Sequence, residues 1–379
     1  MGVHVDETGR DVCAVRLDLA PALCFDRADV DDAVAVDRNV SASRRRAGAV
    51  HERAALDHEI VHHGGKRTPG RRNGTRYAGD VSTAAPESVE VVQKGLADND
   101  YLADEGLATS IFLALRLQRP LLLEGEAGVG KTEVAKVLAR WTNAELVRLQ
   151  CYEGIDAAQA VYEWDYSRQL LHLRAVEASG ARVDEDELYS ERFLVKRPLL
   201  RALAYEGKVP PVLLVDEVDR ADDEFEAFLL EILSDWTISV PELGAVHADV
   251  PPIAVLTSNR TRDVHDALKR RCLYHWIGHP DFDRELAIVR IRAPQVGEVL
   301  ARDVAAAVEA LRGLELYKPP GVAETIDWAQ ALATLGTTRL DERTVDATLG
   351  TILKYREDQE RVRAHGLDDL VRSAVARSA

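Results

Sequence analysis

The sequence predicts an α/β fold: a five-stranded parallel sheet flanked by helices, followed by a small all-helical domain. Three observations predict it. From about residue 86, helical stretches alternate with short apolar runs, the pattern of strands joined by crossover helices. One run, VLLVDE at 212–217, is short and β-branched enough to be buried on both faces. Beyond about residue 281 the strand signals stop and only helical periodicity continues.

Taken in order, Leu107, Ile111 and Leu115 recur at i, i+4 and i+8, which predicts a helix before the first strand, the LLL run from Leu121. Val134, Val137, Leu138 and Trp141 share one face of the helix that follows. ELVRLQ (145–150) reads as a second strand and VLLVDE as a third. The stretch 221–236 is an amphipathic helix through Phe225, Phe228, Leu229, Ile232 and Trp236. IAVLTSN (253–259) is a fourth strand and CLYHWI (272–277) a fifth. Val304, Val308 and Leu311 mark one C-terminal helix, Ile326, Ala329 and Leu332 another, and Val345, Leu349 and Ile352 a third. The domains expected are 86–280 for the α/β core and 281–379 for the helical part, with no internal repeat.

Residues 1–85 differ in character. Two arginine-rich clusters fall there, Arg44 to Arg46 and KRTPGRRNGTR at 66–76, and no downstream pattern partners the apolar stretch VCAVRLDLAPALCF. The segment reads either as an unstructured extension or as sequence upstream of the true start. Met1 is the sole methionine, so a later start requires a non-AUG codon, for instance at Val81 or Val89.

The formal charge of −16 disfavours general binding to phosphate backbones. The four cysteines, Cys13, Cys24, Cys151 and Cys272, show no paired metal-ligand spacing and suit a reducing cytoplasm. No apolar run is long enough to span a membrane, and the polar start MGVHVDETGR is unlike a signal peptide.

The motif with the sharpest chemistry is Gly125-Glu126-Ala127-Gly128-Val129-Gly130-Lys131-Thr132, which fits GxxxxGK[ST] in full. A strand delivers the chain to the sheet's carboxyl edge. Glycines then let successive N–H groups curl round an anion, and the next helix aims its positive end at the same point. Lys131 would reach the β- and γ-phosphates of ATP, and the Thr132 hydroxyl would sit on Mg²⁺. Downstream, the third strand ends in two adjacent acids. Asp216 suits the Mg²⁺ shell, and Glu217 suits orienting or deprotonating the attacking water. Acids at a strand's exit to solvent are common by themselves, so the pair gains force from the loop before it. Thr257, Ser258 and Asn259 end the fourth strand, where a neutral amide can hold water or a phosphate oxygen, or simply cap a turn. Lys269, Arg270 and Arg271 close the following helix. They serve either as C-terminal cations on its dipole or as arginines offered to a neighbouring subunit's ATP.

In this order, the loop, acid pair, strand-end asparagine, paired arginines and helical C-terminal domain resemble the AAA+ P-loop ATPases. Within them the chain resembles the MoxR family, in its CoxD-like branch, the accessory ATPases of carbon monoxide dehydrogenase maturation. The resemblance rests on LLLEGEAGVGKTEVAKVLA, LVRLQCYEGID, YEWDYSRQLLHLR, LLVDEVDRAD, ISVPELG and TSNRTRD, and covers roughly 86–379. It implies that Lys131 and Thr132 act as Walker A residues, Asp216 and Glu217 as Walker B, and Asn259 as sensor 1. Arg271 matches the arginine finger best, with Arg270 second. It also implies a homo-oligomeric ring, usually a hexamer, a partner carrying a von Willebrand A domain, and a client protein such as a molybdenum hydroxylase. One departure stands out. Where many relatives carry a sensor 2 arginine, GVAETIDWAQAL (321–332) has Glu324, so either this lid senses ATP differently or another arginine, such as Arg339 or Arg343, supplies the charge.

The reading that follows is a chaperone-like Mg-ATP-hydrolysing motor. Its alternatives are an ATP-gated adaptor with little hydrolysis and a nucleic-acid-acting AAA+ protein. Tyr162, Trp164 and Tyr166 alternate with period two and are expected on one face of an extended segment, as packing or as a client-gripping loop. Cys151 is expected to be a buried small hydrophobe.

Overall fold

Two N-terminal helices lead into the sheet: α1 (Val89–Ala97) and α2 (Glu105–Leu117). The chain then alternates through β1 (Leu121–Glu124), α3 (Lys131–Thr142) and β2 (Leu146–Gln150). The computed structural model describes residues 86–180, 185–241 and 244–378, all within one unit of the chain. The expectation for residues 1–85 lies outside them.

An excursion follows β2. It comprises α4 (Ala157–Val161), β3 (Tyr162–Trp164), α5 (Tyr166–Ser179), α6 (Glu185–Leu188), β4 (Leu194–Lys196) and α7 (Pro198–Leu203), with β3 and β4 paired antiparallel. The third sheet strand, β5 (Val212–Asp216), then leads to α8 (Asp223–Asp235). A second antiparallel hairpin, β6 (Thr237–Val240) and β7 (Gly244–His247), precedes β8 (Ile253–Ser258), α9 (Asp266–Arg271) and β9 (Leu273–Trp276).

The main sheet has five strands in the order β2-β5-β8-β1-β9, every pair parallel. This is the expected five-stranded parallel sheet, and both faces are covered. One apolar cluster includes Leu213, Val215, Leu229 and Leu256; the other includes Leu121, Leu123, Val134 and Leu214. Residues of β5 alternate between the two clusters because strand side chains alternate faces, which is why VLLVD carries no polar alternation.

Tyr162, Trp164 and Tyr166 do not share one extended face. The strand stops at Trp164, and the Asp165 side chain accepts the Arg168 N–H at 2.9 Å, starting α5. Such a cap is worth about 1 kcal/mol, and it makes Tyr166 the first helical residue, 69% exposed, whereas Trp164 is buried. Trp164 packs edge-on to Tyr162 and Tyr189. Cys151 is fully buried, as expected.

The C-terminal helices are α10 (Phe282–Arg292), α11 (Glu298–Arg312), α12 (Val322–Thr334), α13 (Glu342–Ile352), α14 (Arg356–His365) and α15 (Leu367–Ser378). They enclose their own core around Val304, Val308, Trp328, Leu332 and Leu349. Among the described residues, no helix is long and apolar enough to cross a membrane.

Candidate functional site

The parallel topology sends the ends of β1, β5 and β8 to one edge of the sheet, and the candidate residues gather there. The glycine loop follows β1 directly. Gly128 and Gly130 hold φ of 83° and 96°, values that disfavour a Cβ. Lys131 opens α3 and is buried. Its Nζ donates to the carbonyls of Gly125 at 2.8 Å and Glu126 at 2.6 Å. Burial pushes its pKa down to about 8, against the opposing pull of Asp219, Asp216 and Glu217.

Thr132 Oγ1 donates to Asp216 Oδ1 at 2.9 Å, so the two expected metal-side residues are brought into contact. Asp216 is buried at the end of β5. Its Oδ1 also accepts the Thr257 hydroxyl at 2.6 Å, and its Oδ2 accepts Arg148 Nη2 at 2.5 Å and Nε at 3.1 Å. Glu217 has a left-handed backbone, φ 56°, an unusual state for a non-glycine residue. Its N–H donates to Thr257 Oγ1 at 2.9 Å. Its carboxylate accepts Gln150 Nε2 at 3.0 Å, Asn259 Nδ2 at 3.4 Å and Arg220 Nη1 at 3.4 Å. Asn259 is anchored in turn by its own N–H to Asp219 Oδ1 at 3.2 Å, while Thr261 holds Oδ2 of the same buried acid.

These groups line a cavity of about 290 Å³ with Ala127, Gly128, Gly130, Lys131 and Thr132 on one wall and Asp216, Glu217, Thr257 and Asn259 on the other. A second, more apolar cavity of about 200 Å³ shares Gly128, Gly130, Glu133 and Ala323 with it. Tyr101, Ile277, Pro280, Ile288 and Ile326 contribute its walls. One compartment sets Lys131 and Lys136 beside the acids Glu133, Asp216 and Glu217, and the other is largely apolar, which suits a phosphate chain joined to a planar base.

The helical region closes over both. The Ala323 N–H donates to Gly128 O at 3.2 Å. Arg292 reaches Glu133 at 3.3 Å, and Arg284 donates to Leu102 O and to Asp104 Oδ2. Glu324 Oε2 accepts the Gly321 N–H at 3.1 Å. Neither Arg339 nor Arg343 lines either cavity, and Arg339 pairs with buried Asp303 at 3.5 Å. The α10 cations Arg284 and Arg292 line the apolar cavity instead.

Arg271 and Arg270 are not brought to this site. Leu273 N–H donates to Pro120 O at 2.8 Å, so α9 ends beside the amino-terminal start of β1. The glycine loop leaves the opposite end of that strand, roughly 13 Å away at about 3.3 Å per residue.

Five contributors lay outside the motif-based selection: Arg148, Gln150, Asp219, Arg284 and Arg292. Only the first two left a trace in sequence, as polar residues spaced by two along an otherwise apolar strand.

Comparison with known proteins agrees with this geometry. Residues 120–272 match the family described as the AAA domain, dynein-related subfamily. No curated protein matches the chain. Among solved structures, a RuvB mutant from Thermotoga maritima is similar at 15% identity over 70% of this chain and 72% of its own, with a TM-score of 0.40. A proposed ATPase from Cytophaga hutchinsonii is similar at 14% identity over 76% and 93%, with a TM-score of 0.38. Likenesses at that level leave the assignment to the family match and the site. Residues 120–272 match an AAA domain, and that match together with the site supports ATPase activity.

Proposed function

We propose that this ATPase is a MoxR-type motor of the CoxD-like branch that hydrolyses Mg-ATP as a ring, typically a hexamer, to remodel a client protein in the cytoplasm. The sequence resemblance suggests a partner with a von Willebrand A domain and a molybdenum-containing, carbon monoxide dehydrogenase-like client. The observation that carries the reading is the convergence of Lys131, Thr132, Asp216, Thr257 and Glu217 on one cavity.

In this reading the amides of 125–130 and the Lys131 ammonium hold the β- and γ-phosphates, and α3 directs its positive end at them. Thr132 and Asp216 fit a hard cation, since a hydroxyl oxygen and a carboxylate oxygen meet at 2.9 Å. When bound, Mg²⁺ would neutralise charge on the phosphate oxygens. Glu217 orients the attacking water and takes its proton, and Asn259 holds the Glu217 carboxylate in place. Arg271 acts on the nucleotide of an adjacent subunit, because a whole strand separates it from its own.

A second reading, an ATP-gated adaptor with little turnover, draws on the three donors that occupy the Glu217 carboxylate. Turnover measured across protein concentration separates the two. The motor is expected to accelerate per subunit as rings form, and Glu217→Gln to bind ATP without turning it over. Flat, negligible turnover by the native chain at every concentration would favour the adaptor. Normal hydrolysis by Glu217→Gln would remove the role given to that acid.

A further inference from the structure

Helix α9 carries three consecutive cations that meet different fates. Lys269 is half-buried and turns inward, its Nζ 3.9 Å from Glu124 Oε1. Arg270 and Arg271 are exposed, and among the described residues their side chains form no ion pair or hydrogen bond. What holds the helix in this attitude is a residue from another element. The Arg119 guanidinium, just before β1, donates to Arg270 O at 2.8 Å, to Arg271 O at 3.1 Å and 2.9 Å, and to Cys272 O at 3.5 Å. A helix end leaves its last carbonyls without intrahelical partners, and a cation there satisfies both their lone pairs and the dipole. Here one planar donor group serves three successive carbonyls, which fixes the backbone from which Arg270 and Arg271 project.

The other end of β1 makes the second attachment. Glu124 is buried, and its Oε1 accepts no hydrogen bond among the described residues. Its Oε2 accepts the Tyr274 hydroxyl at 3.1 Å and lies 3.9 Å from Arg260, which stacks over Trp276. A buried carboxylate with an open oxygen attracts the nearest mobile cation, and that cation is Lys269. The segment 119–124 therefore grips α9 twice, at the helix's carbonyl end through Arg119, just ahead of β1, and along its inner side through Glu124 of β1. The same strand runs straight into the glycine loop.

We propose that Arg119, assisted by the Glu124–Lys269 pair, is a positioning residue that presents Arg270 and Arg271 to the nucleotide of an adjacent copy of this chain. The inference rests on the reading that an α9 arginine acts between subunits. Arg119 would touch no nucleotide itself. Its effect is to hold the guanidinium donor within the tolerance catalysis demands, where a shift of about 1 Å costs on the order of 10²-fold in rate.

The test uses the full chain and mixed assemblies. Arg119→Met is expected to bind nucleotide as tightly as the native chain yet lose roughly 10²-fold in kcat, with Arg119→Lys recovering part of the loss. Mixing with Lys131→Ala subunits, which lack their own phosphate grip but keep an unaltered α9, should restore turnover to the Arg119→Met sites. Arg271→Ala mixed with Lys131→Ala is the control for the underlying reading. Should that control fail to recover, action between subunits falls and this proposal with it. Should the control recover while Arg119→Met does not, or should Arg119→Met turn over normally, only the positioning role falls. Thermal melts check that Arg119→Met folds. If it does not, Lys269→Met, which keeps the carbonyl cap, must give the same lowered kcat and the same recovery on mixing, and its failure to do so would equally overturn the role.

Discussion

The Thr257 hydroxyl donates to Asp216 at 2.6 Å while accepting the Glu217 backbone N–H at 2.9 Å. One buried oxygen thus sets the orientation of one acid and the unusual left-handed backbone of the next. Thr257→Val keeps the shape and deletes both bonds. The variant should lose about 1–3 kcal/mol of stability in urea unfolding, since a buried N–H and a carboxylate oxygen lose a partner. Its kcat should fall on the order of 10²-fold with nucleotide affinity little changed. Thr257→Ser should retain most of both.

Lys131 attracts phosphate only while protonated, and burial brings its pKa down to about 8. Above that pH the free protein carries a neutral amine, and an arriving phosphate restores the proton. Affinity for ADP should therefore be nearly flat just below about pH 8 and weaken by up to roughly tenfold per unit above it, with proton uptake on binding. Calorimetry in buffers of different ionisation enthalpy reads that uptake directly. The same lowered pKa means the unfolded chain holds the proton more tightly, so this group's contribution makes stability rise with pH between about 8 and 10.5.

Gly321 and Gly128 meet backbone to backbone. A Cβ on Gly321 would lie 2.8 Å from Ala127 O and 2.9 Å from Gly128 Cα, neither of which is the end of a flexible side chain. Gly321→Ala should push α12 off the phosphate loop. Overpacking of this kind costs about 1–3 kcal/mol, so ADP affinity should drop by about tenfold or more in a fluorescence titration. An unchanged affinity would mean that the lid does not rest on the loop in the nucleotide-binding state.

Arg148 places its guanidinium on Asp216 Oδ2, next to the oxygen shared with Thr132. A fixed cation beside a divalent-cation site repels it. Arg148→Met should lower the Mg²⁺ concentration at which nucleotide binding is half-enhanced, by a few-fold because Arg148 is about half exposed and screened. A rise in the Mg²⁺ requirement would instead assign Arg148 to orienting the carboxylate for the metal.

Short-range pattern was legible in the amino-acid order. Closely spaced glycines at 125, 128 and 130, followed by Lys131 and Thr132, spell an anion loop, and unbroken apolar runs spell strands buried on both faces. Recurrence at i, i+3 and i+4 marks helix faces such as that of Val134, Val137 and Leu138. Asp216 and Glu217 were legible because they end such a run. Where a local cap outcompeted a periodic pattern, as Asp165 does at Tyr166, the pattern misled.

Which residues surround those acids depends on how distant segments pack. The sheet order β2-β5-β8-β1-β9 is not the chain order, so Arg148, Gln150 and Thr257 reach Asp216 and Glu217 from strands far away in sequence. Packing also brought Arg284 and Arg292, not Arg339 or Arg343, to the apolar cavity. Finally, it put Arg271 at the sheet edge opposite Lys131. The physical reason is common to all three: hydrogen bonds and ion pairs depend on distance in space, and distance in space follows from how strands are ordered and how helices dock, which no local spacing records.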